Sequence, residues 1–332
     1  GGGGTSPAAA PPPPAACADC GTVYIGLTDA DGDFLSYAVD VESFTLRRAD
    51  GTVVETLPVK PRVDFAQYVD LTEFLTAATV PSGNYVEGTL RLDYRNAEIS
   101  VESAGEPVAA TAVGADGAPL GLVDVRVMLD NRNLLRVAPG RPALLTLDFD
   151  LAATHDVDLS ATPAKVTARP VLVASLEPVE EKELRLRGPL VSVDVPAGSY
   201  RVDLRPFHLQ SGDFGEVTVG TTAETVFEID GTQYSGTAGL EALRVAGPGT
   251  PTIAHGLLET GERRFTADRV YAGSSVPGAG VDAVLGSVLA RSGDILTVRG
   301  GVIVRRDGGV RFARGTIEVA VGPGTRVLRD GQ

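Results

Sequence analysis

The sequence predicts an all-β protein: an N-terminal antiparallel β-sandwich followed by small OB-like β-barrel modules, the last of them incomplete. Three observations carry this expectation. Apolar residues recur at every second position in short runs, as at Val23, Ile25 and Leu27, which is the period of a strand with one buried face. Gly (40) and Pro (22) are plentiful and separate these runs, as turns do in all-β chains. The C-terminal half also repeats itself. Gly188-Pro189-Leu190-Val191 through Thr225–Gly231 share a pattern with Gly286-Ser287-Val288-Leu289 through Thr325–Gly331, and such self-similarity marks modular architecture. The first copy runs on through further strands, whereas the second stops at Gln332, so the native polypeptide is expected to be longer.

Residues 1–20 form a Gly/Pro-rich leader that ends in a Cys-x-x-Cys. Gly1–Ala16 reads GGGGTSPAAAPPPPAA. It has no apolar period with which to bury a core, and its proline run favours an extended helix, so it reads as a tether, native or appended. Three chemistries fit Cys17 and Cys20. A local disulfide suits an oxidising compartment and would pin the chain where the first strand begins. A redox pair ordinarily opens a helix, but a strand follows here. Zinc needs four ligands, and no second Cys-x-x-Cys is present.

Residues 21–180 are expected to form the sandwich. After Val23–Leu27, the alternation of Val39 and Val41 gives way to Phe44 and Leu46 in the opposite phase, which a bulge near Glu42 explains. Asp50-Gly51 signals a hairpin. Val86, Leu90 and Leu92 mark a strand, as do Val123–Leu129 and Leu145–Leu151. Leu71, Phe74, Leu75 and Ala78 share a helical face behind a capping Asp70, so a short helix is expected from 71 to 78. Val-Pro-x-Gly-x-Tyr occurs at Val80–Tyr85 and again at Val195–Tyr200. There Pro sets one turn dihedral and Gly supplies a positive φ.

Residues 184–273 are expected to form an OB-like barrel, with strands at 190–195, 200–204, 217–219, 226–229, 253–258 and 265–271 and a short helix at 236–243. Residues 283–332 would be a partial second barrel. Between sandwich and barrel lies a charged bridge, Glu177–Lys182. An incomplete barrel leaves open strand edges, which a partner, another copy of the chain or the absent sequence must cover.

One constellation suggests a ligand. Asp29, Asp31 and Asp33 alternate in Asp29-Ala30-Asp31-Gly32-Asp33. Clustered carboxylates are hard oxygen ligands suited to calcium. The spacing departs from an EF-hand loop, since Phe34 takes the sixth position and Asp40 the twelfth. An Asp-rich turn whose carboxylates accept backbone N–H groups is the plainer reading of the same residues. No other cofactor is indicated.

Charge and motif content narrow the function. The net charge of −14 repels phosphate backbones, so no nucleic-acid partner is expected. Arg305, Arg306, Arg311 and Arg314 surround the Asp307-Gly308-Gly309 turn, either as a solvated hairpin face or as a surface for an acidic partner. His155, His208 and His255 are the only histidines. None has metal-ligand spacing, and no nucleophile elbow, P-loop or dinucleotide fingerprint is present, so the chain is expected not to be an enzyme. A hydrolase assembled in three dimensions remains a third reading.

The segments Gly26-Leu27-Thr28-Asp29-Ala30-Asp31-Gly32-Asp33-Phe34, Val63-Asp64, Tyr68–Leu71 and Val80–Tyr85 resemble a family of uncharacterised domains in bacterial envelope lipoproteins. The leader resembles the start of such lipoproteins, in which a Gly-rich run follows a lipidated cysteine. Residues 184–273 resemble a second bacterial domain of unknown function with an OB-like build, and 283–332 resemble its first part. The resemblance implies an outer-membrane lipoprotein, periplasmic or surface-exposed, held by a lipid anchor upstream of Gly1. The function expected from all this is a non-enzymatic binding or structural module, as an accessory subunit of a larger surface assembly. It would act through a protein partner or self-association at the partial barrel. The alternative is a calcium-dependent or carbohydrate-binding adhesion module.

Overall fold

The computed structural model describes residues 17–30, 34–129, 134–151, 155–177, 182–259, 263–306, 310–312 and 316–327. The leader Gly1–Ala16 lies outside them. The chain is 62% strand and 7% helix, which places it in the all-β class.

Thirteen strands build the sandwich: β1 (Cys20–Ala30), β2 (Phe34–Arg48), β3 (Val53–Glu55), β4 (Arg62–Asp64), β5 (Leu71–Pro81), β6 (Gly83–Ser103), β7 (Glu106–Val113), β8 (Leu122–Met128), β9 (Leu135–Val137), β10 (Ala143–Asp150), β11 (His155–Asp158), β12 (Ala164–Ala168) and β13 (Leu172–Ser175). One sheet runs β13-β10-β1-β5. The other runs β11-β12-β7-β6-β2-β3, with β4 on β2 and with β8 and β9 on β6. Pairing within the sandwich is antiparallel except at β1/β10 and β7/β12, which are parallel. The inward rows are the ones the alternation marks: Val23, Ile25 and Leu27 are buried with Phe44, Leu46, Leu90, Leu92, Leu145, Leu147 and Phe149. Phe65 stacks on Phe149 at 4.5 Å, and Tyr37 meets Phe65 edge-on. The expected bulge is present: the β2/β6 register slips between Val41 and Ser43.

The segment from 71 to 78 corrects the sequence reading. It is strand β5, not a helix. Its first eight residues are all buried, including Thr72, Glu73 and Thr76. A strand covered on both faces loses its period-two signature, and its apolar residues then fall on a helical period by accident.

The barrel contains β14 (Glu183–Asp194), β15 (Ser199–Asp203), β16 (Glu216–Gly220), β17 (Val226–Ile229), β18 (Thr232–Ser235), helix α1 (Thr237–Ala246), β19 (Pro251–Leu258) and β20 (Phe265–Ala272). The ring β14-β15-β16-β20-β19 closes back on β14. Within it only β16/β20 is parallel. The β17–β18 hairpin hangs from β20, and α1 buries Leu240 and Leu243. This is the OB-like module: five strands in a ring, with a helix before the last pair.

Sandwich and barrel share a sheet. The start of β14 pairs in parallel with β5, Glu183–Arg185 opposite Leu71–Glu73. The last sheet holds β21 (Ala283–Ser292), β22 (Ile295–Val304), β23 (Val310–Phe312) and β24 (Thr316–Ala320). Strand β22 is central, with β21 on one side and β23 and β24 on the other. Among the described residues, β21 and β24 each pair with β22 alone. Among the described residues, the sheet is a half-barrel with two open edges.

Candidate functional site

The densest cluster of charged and titratable groups lies where β5 meets β14. Glu73, in the middle of buried β5, is 0% exposed. Arg185 and Arg187 alternate along β14 with Leu184 and Leu186, and all four are buried. Arg185 Nε donates to Glu73 Oε2 at 2.7 Å, and Arg187 Nε lies 3.4 Å from Oε1. The Phe207 N–H also donates to Oε1, at 3.4 Å. Phe207 and His208 both take positive φ, 54° and 62°. Non-glycine residues seldom adopt that region unless the surroundings hold them there. His208 Nδ1 lies 3.3 Å from Arg187 Nη1, and the Arg185 guanidinium sits 5.8 Å from the centre of the Tyr68 ring.

Two guanidiniums thus face one carboxylate in a closed interior. Burial, with Arg185 alongside, lowers the Arg187 pKa to about 10, so the group stays charged at neutral pH. Burial and then Arg187 and Arg185 push His208 well below its ordinary range. His255, on β19, is 1% exposed and is lowered to about 3, first by burial and then by Arg269. Both imidazoles are therefore neutral. His255 Nδ1 lies 3.5 Å from Glu183, which also accepts from Arg269 at 2.9 Å. That is a histidine–acid pair, and among the described residues His255 Nε2 is buried with no hydrogen-bond partner. The arrangement can clamp two modules together through the Glu73–Arg185 contact, while among the described residues Arg187 Nη2 is buried with no hydrogen-bond partner.

Backbone contacts strengthen the clamp. Phe214 O of the barrel accepts from both Ala77 N (2.8 Å) and Thr76 Oγ1 (2.9 Å) of β5. Gly215 makes this approach possible. Its φ is +90°, and a Cβ there would run into Ala77 O, so no L side chain fits.

The residues singled out in the sequence fare differently. Asp29 belongs to β1 rather than to a loop, and it is 0% exposed. Its Oδ1 accepts from Leu151 N at 3.2 Å, its N–H donates to Tyr68 O, and its carbonyl accepts from Lys182 Nζ at 2.8 Å. Asp31 and Asp33 lie outside the described residues. Among those described, no three His, Cys, Asp or Glu side chains gather as metal ligands. Cys17 and Cys20 are joined in a disulfide. Arg305 and Arg306 both reach Asp282, at 3.9 and 3.4 Å, and Arg311 is exposed. Arg314 and the turn at 307–309 lie outside the described residues. Glu73, Arg185 and Arg187 escape sequence reasoning because β5 and β14 are far apart in the chain, and an Arg-x-Arg alternation ordinarily marks a solvated face.

The half-barrel touches both other modules. Arg299 is held by Gly105 O and lies 3.4 Å from Glu102 of the sandwich, and Arg326 reaches Glu228 of the barrel at 2.5 Å. Its exposed apolar residues include Val284, Val288, Leu289 and Ile295.

Residues 20–158 match the model of a family described as a domain of unknown function, DUF4382. The match spans β1 to β11, most of the sandwich. No curated protein and no solved structure matches the chain. Among the described residues, no helix is long and apolar enough to cross a membrane.

Proposed function

We propose that this chain is a non-enzymatic binding or structural module of the bacterial cell envelope, acting as an accessory subunit of a larger assembly. It docks a protein partner, or a second copy of itself, on the open half-barrel. The observation that carries the reading is the open sheet: among the described residues, two unpaired edges beside exposed aliphatic side chains. Soluble proteins rarely leave such edges bare, because their N–H and C=O groups template pairing with another chain. The sandwich and barrel act as a rigid base, joined through β5 and β14. The leader is a tether, and a lipid anchor upstream of Gly1 places the protein at the outer membrane. The Cys17–Cys20 disulfide suits that oxidising setting. The calcium-dependent reading rests on Asp29, Asp31 and Asp33, of which Asp29 already accepts through Oδ1 from Leu151 N.

Sedimentation velocity between about 1 and about 100 μM, the range in which modest interfaces form, tests the docking reading. The parent chain associates, and the Val288→Lys, Leu289→Lys double variant does not. Equal, monomeric behaviour of the two, together with unchanged capture by the native assembly, removes the half-barrel as the docking site.

A further inference from the structure

Charge does not balance where β5 meets β14. Strand register sets Glu73 beside Arg185, Arg185 beside His255 and His255 beside Arg269, one row across β5, β14, β19 and β20. Cross-strand neighbours share a face of the sheet, and Arg187, two residues along β14 from Arg185, stands on that same face. At the wetter end of the row Arg269 is matched by Glu183 at 2.9 Å. At the buried end one carboxylate, Glu73, serves both Arg185 and Arg187. Asp64, whose charge also reaches Tyr68, is turned to the backbone N–H groups of Tyr37 and Ala66 and to Gln67. His208 and His255 are neutral, being pushed down first by burial. Among the described residues, this interior holds one positive charge more than it neutralises.

The hydrogen bonds leave the same remainder. The Arg187 side chain is 5% exposed. Its Nη1 has His208 Nδ1 at 3.3 Å. Among the described residues, its Nε and Nη2 are buried with no hydrogen-bond partner. Buried donors are nearly always engaged, and a charged group left unengaged in an interior is the costliest kind. Charge count and donor count are separate observations, and both end on Arg187. The surroundings are tight. Phe207 packs edge-on against Tyr68 at 5.3 Å, and the Arg185 guanidinium lies 5.8 Å from the same Tyr68 ring.

We infer that the Arg187 guanidinium binds a compact monovalent inorganic anion, chloride in type, buried between sandwich and barrel. One negative charge cancels the excess, whereas a divalent oxyanion would overshoot it and bring oxygens that need donors of their own. A guanidinium is weakly hydrated and suits a buried anion better than an ammonium does. The ion binds the docked modules and not the unfolded chain, so it stabilises the junction by mass action.

The test is the Tm of the intact chain in sodium chloride from about 2 to about 200 mM, with sodium gluconate holding ionic strength, and hence screening, constant. Gluconate is too large to replace chloride in a closed interior. Once chloride exceeds its Kd, each tenfold rise multiplies the folded-to-unfolded ratio tenfold, which raises Tm by about 3–6 °C. Arg187→Met removes the excess charge and the two unengaged donors but leaves Glu73 with Arg185, and its Tm does not respond to chloride. If that variant does not fold, the triple variant Glu73→Leu, Arg185→Met, Arg187→Met is the control, because it carries no charge at the junction. In crystals grown from sodium bromide, an anomalous peak lies within hydrogen-bond reach of Arg187 Nη2. A parent Tm that ignores chloride overturns the inference and leaves water as the partner of Nη2. An equal chloride response in parent and control is a general salt effect and overturns it too, as does the lack of a bromide peak beside Arg187.

Discussion

Replacing Glu73 by Gln tests the junction most sharply. The carboxylate is fully buried and faces two buried guanidiniums, Arg185 at 2.7 Å and Arg187 at 3.4 Å. Gln keeps the shape and one acceptor but removes the charge, which leaves two cations in a dry interior. Breaking a buried pair by removing one partner costs about 3–5 kcal/mol, because the survivor keeps its desolvation penalty. For a cooperative unit of this size each kcal/mol moves Tm by about 2–4 °C, so the loss is roughly 6–20 °C. The assay is thermal unfolding followed by circular dichroism, with amide exchange at β5 and β14 to localise the loss. A companion variant separates charge from packing. Substituting Glu73→Leu, Arg185→Met and Arg187→Met together restores Tm to near the parent, since an apolar replacement of a buried ion cluster is often neutral or stabilising. A shift below about 2 °C for Glu73→Gln, less than 1 kcal/mol on the same scale, shows that the cluster does not hold the modules together.

Three further outcomes follow from particular residues. Burial raises the Asp64 pKa from 3.8 to about 6, against hydrogen bonds from Tyr37, Ala66 and Gln67 that act to lower it. Its folded pKa lies above its unfolded one, so its contribution is full below about pH 4 and is lost as pH rises through about 6. The Tm of Asp64→Asn relative to the parent therefore rises between those values, and a pH-independent difference refutes the assignment. His255 is depressed from 6.5 to about 3, so its contribution is present above about pH 6.5 and fades as pH falls toward 3. His255→Gln should flatten the acid side of the urea-midpoint profile, and an unaltered acid limb would count against a buried neutral imidazole. Gly215→Val forces a side chain into Ala77 O at a positive φ. It should speed amide exchange at Ala77 by at least tenfold, or about 1.4 kcal/mol of local opening, while leaving exchange at Val23 and Ile25 in the β1 core unchanged; unchanged exchange at Ala77 would show that the barrel loop does not dock there.

Much of this architecture was legible where strands have one wet face. The inward row of β1, the bulge at Glu42, helix α1 and the pair that closes the barrel all announce themselves through period, phase or turn residues. Legibility ends where a strand is covered on both sides. Strand β5 carries Thr72, Glu73 and Thr76 into the interior because the barrel caps the face that would otherwise be solvated. Glu73 and Thr76 find their partners in Arg185 and Phe214 O, more than a hundred residues away. Arg185 and Arg187 mislead for the same reason, since their alternation with Leu184 and Leu186 is the pattern of an exposed face. Spacing alone also does not place Asp29, which stands in β1 rather than in a loop and accepts through Oδ1 from Leu151 N. The repeat in the C-terminal half was visible in the chain. That Val288 stands exposed within it became apparent only in three dimensions.

The most direct measurement compares two amides in the same molecule, Leu190 beside the register slip of β14/β15 and Val288 beside that of β21/β22. Hydrogen exchange at Leu190 and Val288, in the chain alone at about 1 μM to keep the edge unoccupied, reads a closed barrel against an open one. The account predicts exchange at Val288 at least a hundredfold faster than at Leu190, a gap of about 2.7 kcal/mol in local opening. Equal protection at the two positions would contradict it, because the half-barrel would then already be covered by its own chain.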